Sequence, residues 1–178
     1  HYKRNNLKNL FNTLNKKFDG FIIAVPPNKQ NKILIEILKL NIPVIVEKPL
    51  CMNKCELNKI LKHKDKNQII YVNHYHLFSN SFRKFQESFE LSQVKKVFIQ
   101  DGNFGPFRKN VSPIFDWAPH SFGIIFKLFK SKLISFHYSK KLIERNNDIE
   151  IKVLKFLFIF SNGQKAFVKI VNGFKERK

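Results

Sequence analysis

The sequence predicts an α/β chain: the carboxyl-side part of a doubly wound parallel sheet, followed by an α+β region whose sheet is mainly antiparallel. Three observations predict it. Short continuous apolar runs end in proline-containing turns. Helical stripes separate those runs over residues 1–73. Beyond residue 132, strand-like segments follow one another with no helix between them, which calls for antiparallel pairing.

Residues 7–18 open the pattern with Leu7, Leu10, Phe11 and Leu14 at helical spacing, stopped by Asp19-Gly20. Phe21-Ile22-Ile23-Ala24-Val25 is an uninterrupted apolar run closed by Pro26-Pro27, the expected signature of a strand covered on both faces. Asn28 is the expected N-cap of a helix carried by Ile33, Leu34, Ile37, Leu38 and Leu40. Pro43-Val44-Ile45-Val46 is the second strand, stopped by Glu47-Lys48-Pro49. Asn53 opens another helix through Leu57, Ile60 and Leu61, and residues 68–72 form the third strand. The domain boundary is placed at residues 72–74, giving domains 1–73 and 74–178.

The second domain begins with a helix marked by Phe82, Phe85, Gln86 and Phe89, then a strand over residues 94–101. A Gly/Pro-rich loop spans residues 102–113. Asp116 starts a helix running to residue 129 with Phe122, Ile125, Phe126 and Phe129 on one stripe. Strands are expected at 133–139, 149–160 and 166–171, the last two joined by Ser161-Asn162-Gly163 as a hairpin turn.

Composition narrows the function classes. Hydrophobic residues make up 43% of the chain and 20 residues are Phe, so there is enough apolar matter for a packed core. No apolar run approaches the roughly 20 residues that cross a bilayer. The basic start leads into no apolar segment of a secretory signal, so a cytoplasmic location is expected. The formal charge of +20 raises the question of nucleic acid. Lysine is spread over every segment and arginine is scarce, so the charge reads as a solvated basic surface and nucleic acid is not an expected partner. Cys51 and Cys55 share a helical face, but C-x3-C with His63, His74 or His76 matches no standard zinc pattern; free thiols and no metal are expected.

Three turns lie at the carboxyl ends of the parallel strands, where such sheets bind ligands: Val25-Pro26-Pro27, Glu47-Lys48-Pro49 and Asn73-His74. Proline after a charged pair at a strand end forbids further ladder pairing. It also gives an X-Pro bond of the kind that adopts cis. A lysine held there can hydrogen-bond a substrate hydroxyl. Taken alone, the turn fits a surface ion pair equally well. Asp116 and His120, one turn apart if a helix begins at Asp116, can place a carboxylate and a proton-accepting imidazole on one face. In isolation they also fit a capping Asp with an incidental His. His74 and His76 alternate after the third strand and would share a face if the strand continued, next to the crevice or simply at the domain junction. Tyr71 and Tyr75 read as packing.

Together, Ile23-Ala24-Val25-Pro26-Pro27, Val44-Ile45-Val46-Glu47-Lys48-Pro49-Leu50 and Asp116-x3-His120 resemble the Gfo/Idh/MocA superfamily of glucose–fructose oxidoreductase and inositol dehydrogenase. The resemblance implies a partial Rossmann domain over residues 1–73 and an α+β substrate and oligomerisation domain over 74–178. It also implies an NAD- or NADP-dependent oxidoreductase that moves hydride between nicotinamide and a hydroxyl carbon of a sugar, nucleotide sugar or polyol. Lys48, His120 and Asp116 would be catalytic: the active-site lysine, the acid/base, and the substrate-positioning carboxylate. Val25, Pro26, Pro27, Glu47, Lys48 and Pro49 would pass along the cofactor. His74, His76 and Trp117 would contact substrate, and residues 104–115 would form a substrate-side loop. A homo-oligomer is implied for the full-length protein.

Some positions depart from the pattern. Val25 stands where Thr is common, Gln30 where His often follows the double proline, and Ala118 where Gly is frequent. No G-x-G-x-x-G or ribose-binding acid is present, so about 60 further residues, two βαβ units, are expected ahead of His1. The end at Lys178 is early for the family. A fragment is therefore expected, with weak or absent cofactor affinity on its own because the pyrophosphate lacks its anchor. Two other readings stay open: a basic polyanion-binding module, which requires a lysine face with aromatics set for stacking, and an inactive remnant.

Overall fold

The computed structural model describes residues 18–103, 111–146 and 149–173. The chain divides into two units, His1–Asn73 and His74–Lys178. The helix expected at residues 7–18 lies almost wholly outside the described residues, as does most of the loop expected at 102–113.

The amino-terminal unit holds a three-stranded sheet of β1 (Phe21–Ile23), β2 (Val44–Glu47) and β3 (Ile70–Asn73), in the order β1-β2-β3 and parallel throughout. Helices α1 (Pro27–Leu38) and α2 (Lys54–His63) make the crossovers. Their stripes bury Leu34, Ile37, Leu38 and Ile60 against Ile23, Val44 and Val46. Each such side chain contributes about 1.5–3 kcal/mol by leaving water. The helices cover one face only. In the register Ile22↔Ile45↔Tyr71, the other face shows 76%, 41% and 37% exposure. The expected burial of β1 on both faces is therefore not met among the described residues: the apolar run signals a parallel strand, not the cover on each side of it.

Local chemistry explains the ends. α1 begins at Pro27 with Pro26 as its cap residue, not at Asn28, because a proline lacking an N–H and fixed in φ is suited to the first helical position. Asn41, at φ 53°, turns the chain after α1 in the left-handed region that Asn tolerates. Asn53 caps α2 by accepting from the Glu56 N–H at 2.9 Å, as its sequence position predicts.

The carboxy-terminal unit starts with a 3-10 turn (Tyr75–Phe78) and α3 (Asn80–Glu87), capped by Ser79. β4 (Lys96–Gly102), the short α4 (Pro113–Asp116) and α5 (Ala118–Leu128) precede a long hairpin, β5 (Leu133–Asn146) and β6 (Ile149–Phe160), and then β7 (Lys165–Val171). The sheet order is β4-β7-β6-β5, with β4–β7 parallel and the other pairs antiparallel. β5 runs past the expected residue 139. Its outer residues lie opposite β6 along nearly its whole length, so pairing extends it where polar composition does not.

α5 lies on one face of this sheet. Ala118, Ile125 and Leu128 join Phe129, Leu154, Phe156, Phe158, Phe160, Ala166, Val168 and Ile170 in one core. Phe122 meets Phe156 and Phe158 edge-on, each at 5.0 Å between ring centroids, a geometry that adds to the area term. The β6–β7 turn closes on Gly163 at φ 83°, and buried Gln164 donates to Val94 O at 2.8 Å.

The helix expected from Asp116 is interrupted. Asp116 ends α4 and His120 belongs to the first turn of α5, with Trp117 as the residue between. Pro119 is the cause. It has no N–H to give the carbonyl four residues back, and its ring crowds that turn. Nor does the third strand continue through His76: β3 stops at Asn73 and the chain turns, so His74 and His76 do not share a strand face.

Candidate functional site

In the amino-terminal unit the site is a set of strand ends fastened to one another. Residues 24–26 leave β1 and lead straight into α1. Glu47 closes β2, and the following Lys48–Pro49 bond is cis. Gln30, one turn into α1 and 1% exposed, reaches this turn. Its Nε2 donates to Glu47 O at 2.8 Å and to Pro49 O at 2.7 Å, the two carbonyls on either side of Lys48. From the other flank Asn73, the last residue of β3, donates to Glu47 Oε1 at 2.6 Å. Lys48 is thus held half-buried on a backbone braced from two neighbouring elements.

The turn is continued by a second brace. Glu56 accepts from the Met52 N–H at 2.7 Å while its own N–H is taken by Asn53. Cys51 sits in this stretch, and burial, reinforced by the Glu56 charge, pushes its thiol above the ordinary value. That suppresses the thiolate a metal or an electrophile would need. Among the described residues no group of three or more His, Cys, Asp or Glu is placed to hold a metal. None of the described helices is long and apolar enough to cross a membrane.

In the carboxy-terminal unit the site is a histidine pair. His120 Nδ1 lies 3.1 Å from His76 Nδ1, and His76 Nε2 lies 3.1 Å from the His120 carbonyl. Tyr75 stands edge-on to both rings, at 5.5 Å from His76 and 5.9 Å from His120, and is 64% exposed. It therefore lines the pair instead of packing in a core. His74 lies against Gly123 of α5, where an added Cβ would come within 3.1 Å of its Nδ1, so a larger residue there would have to push the ring aside. Trp117 packs against the aromatic core, and the next helical turn is tied down where Ser121 donates to Asp101 at 3.0 Å.

The structure thus joins Glu47 and Lys48 to Asn73 and Gln30 in one unit, and His76 to His120 and Tyr75 in the other. Lys48 belongs to the first unit, and Asp116 and His120 to the second. Sequence reading missed the brace from Gln30, the link from Asn73 and the ring of Tyr75. The signal for Gln30 was available: a polar residue four before Leu34 stands on the apolar stripe of α1, where an amide needs buried partners.

The fit of a nicotinamide dinucleotide can be judged from these ends. A nicotinamide ring needs apolar backing and backbone polar groups; at these turns the Glu47 and Pro49 carbonyls already accept from Gln30. Pyrophosphate needs a run of unpaired N–H groups at a helix N-terminus. α1 begins on Pro26-Pro27, which supply none, and has no side-chain cap. At the start of α1 the described residues offer no anchor for the phosphates.

Residues 2–75 match the model of the "Oxidoreductase family, NAD-binding Rossmann fold". No curated protein matches the sequence. Solved structures match in fold along nearly the whole chain. One is a Magnetospirillum magnetotacticum MS-1 protein described as an oxidoreductase, with TM-score 0.80, 21% identity, and coverage of 95% of this chain and 55% of that one. Another is biliverdin reductase from Synechocystis sp. PCC 6803, in complex with biliverdin and NADP+, with TM-score 0.71, 18% identity, and coverage of 97% and 57%. A third is UDP-N-acetylglucosamine 3-dehydrogenase GnnA from Acidithiobacillus ferrooxidans, with TM-score 0.75, 12% identity, and coverage of 94% and 55%. The chain spans a little over half the length of these structures. At these identities they establish the fold. The match to this NAD-binding oxidoreductase family covers residues 2–75, under half of the chain, and the solved structures share the fold of nearly all of it.

Proposed function

We propose that this chain forms part of an NAD(P)-dependent oxidoreductase acting on a hydroxyl carbon of a sugar, nucleotide sugar or polyol. The observation that carries the reading is the Glu47-Lys48-Pro49 turn, braced by Gln30 and Asn73 at the carboxyl end of a parallel strand. A surface ion pair has no use for a buried amide spanning the carbonyls on both sides of its lysine. A residue that must present its ammonium in a fixed direction does. The nucleotide-sugar dehydrogenase and the NADP+ complex among the fold relatives support the substrate class and the cofactor.

In this reading Lys48 is the active-site lysine, whose ammonium stabilises negative charge building on a substrate oxygen. His120 takes the hydroxyl proton as the carbinol carbon gives up its hydride with the electron pair of the C–H bond, leaving a carbonyl. Asp116 holds a neighbouring substrate hydroxyl, and His74, His76 and Trp117 line the substrate side. A bound nicotinamide supplies the hydride acceptor at C4. Without a phosphate anchor, the 178-residue chain alone binds nicotinamide cofactor weakly or not at all. The full-length protein is a cytoplasmic homo-oligomer in this account.

The test is the full-length natural protein, assayed by nicotinamide absorbance with NAD or NADP against a panel of sugars, nucleotide sugars and polyols. Turnover with one class, lost in Lys48→Met, is the expected result. Absence of turnover together with absence of cofactor binding would refute the proposal. Titration of the 178-residue chain with NADH is expected to give no resolvable heat; micromolar affinity would overturn the anchor argument.

A second reading has one observation in its favour. On one face of the four-stranded sheet, the register aligns Lys96 with Lys165, and Lys155 with Lys169, flanking the Phe98–Phe167 stack at 4.8 Å. Lysine rows beside stacked rings suit a single-stranded polyanion. Anisotropy of labelled oligonucleotides, falling with salt and abolished by Lys165→Glu with Lys169→Glu, would support it. Affinity no better than that of lysozyme, a basic control, would remove it.

A further inference from the structure

We propose that neutral His76 fixes the tautomer of His120, so that the Nδ1 of His120 carries a hydrogen and the proton it exchanges is carried on Nε2. The role in catalysis rests on reading His120 as the acid/base residue; the tautomer itself does not.

The argument follows from which atoms can donate. A backbone carbonyl only accepts, so His76 Nε2, at 3.1 Å from His120 O, carries a hydrogen. A neutral imidazole has one N–H, and His76 Nδ1 therefore holds a lone pair. That lone pair faces His120 Nδ1 at 3.1 Å. Two lone pairs repel, so the hydrogen between the rings belongs to His120 Nδ1. It stays there whether His120 is neutral or charged, because the cation is protonated on both nitrogens. Only Nε2 changes. The chain of donors begins at the His120 ring, passes through His76 and ends on His120's own backbone carbonyl, so the link from α5 to the 3-10 turn sets both the ring's orientation and its tautomer.

His76 then does for His120 what a carboxylate does for histidine in a hydrolase triad, as an acceptor without charge. Toward His120 it is a positioning residue. Tyr75, nearly perpendicular to both rings, limits their rotation from the outer side. Free histidine favours the opposite tautomer, with the hydrogen on Nε2, so an undirected His120 would spend most of its neutral population unable to accept a proton there.

The experiment is long-range 1H–15N correlation on the 15N-histidine-labelled 178-residue chain. In the wild type, neutral His120 is expected as the Nδ1–H form. His76→Phe, similar in shape but with no acceptor, moves it to the Nε2–H form; His76→Asn, whose side-chain oxygen stands near the Nδ1 position, restores Nδ1–H. Amide dispersion from β5 to β7 reports whether each variant is folded. An Nε2–H His120 in the wild type overturns the proposal whatever the variants do, as does a tautomer unchanged in folded His76→Phe. If the tautomer holds but the full-length enzyme keeps its activity and pH profile in His120→Gln, the pair stands and the acid/base assignment falls.

Discussion

Replacing Gln30 by Leu probes the brace on the lysine turn. The substitution keeps volume and apolar character at a position only 1% exposed, but removes both hydrogens given to Glu47 O and Pro49 O. Each abandoned buried acceptor costs about 1–3 kcal/mol. Part of this is offset, because Gln30 Oε1 is itself buried with no hydrogen-bond partner, and Leu removes that orphan. The net loss is about 1–3 kcal/mol, confined to the amino-terminal unit. Hydrogen exchange at the Met52 amide, which Glu56 holds at 2.7 Å just beyond the turn, should accelerate about 5- to 150-fold as the segment opens more often. A folded variant whose Met52 protection matches the wild type would refute the claim that Gln30 braces the turn.

Other perturbations follow from packing and charge. Cys51 carries a raised pKa, so its thiolate fraction at any lower pH is smaller than that of an ordinary thiol. Its iodoacetamide rate should rise later with pH than that of free cysteine, and Glu56→Gln should move it earlier, read by peptide mass spectrometry. Ile125→Ala empties a fully buried position in the aromatic core and should cost about 2–5 kcal/mol in urea unfolding followed by Trp117, the only tryptophan. Gly163→Ala places a Cβ on a residue at φ 83°, where space is open but the backbone is not suited to it. A loss of about 1–2 kcal/mol is expected in the same assay, with Gly163→Asn costing less.

Much of the fold was legible because its signals are local. Five apolar residues before Pro26-Pro27 and three before Glu47-Lys48-Pro49 mark parallel strands without reference to the rest of the chain. The hairpin at Ser161-Asn162-Gly163 is equally self-contained. What failed to show was nonlocal or competitive. Pro119 breaks a helix whose apolar stripe runs on unperturbed, because stripe and hydrogen-bond ladder obey different rules. The end of β3 at Asn73 depends on where β2 stops offering partners. The His76–His120 pair joins residues 44 positions apart, and alternation along a strand could not have suggested it. The Gln30 brace lay between these cases, since its helical phase was visible but its acceptors were not.

The order β4-β7-β6-β5 has a consequence for biosynthesis. β7, the latest of the described strands to leave the ribosome, is an interior one, hydrogen-bonded to β4 on one side and β6 on the other. The hairpin of β5 and β6 can zip locally as it emerges, but Lys96 must wait for Lys165 before β4 has any neighbour. Until then β4, with Phe98 on one side and Val97 and Ile99 on the other, is an unpaired apolar edge, the kind of surface that recruits chaperones or other nascent chains. A nascent chain whose β7 is still inside the ribosome exposes that edge, while one whose residues 165–171 have emerged does not.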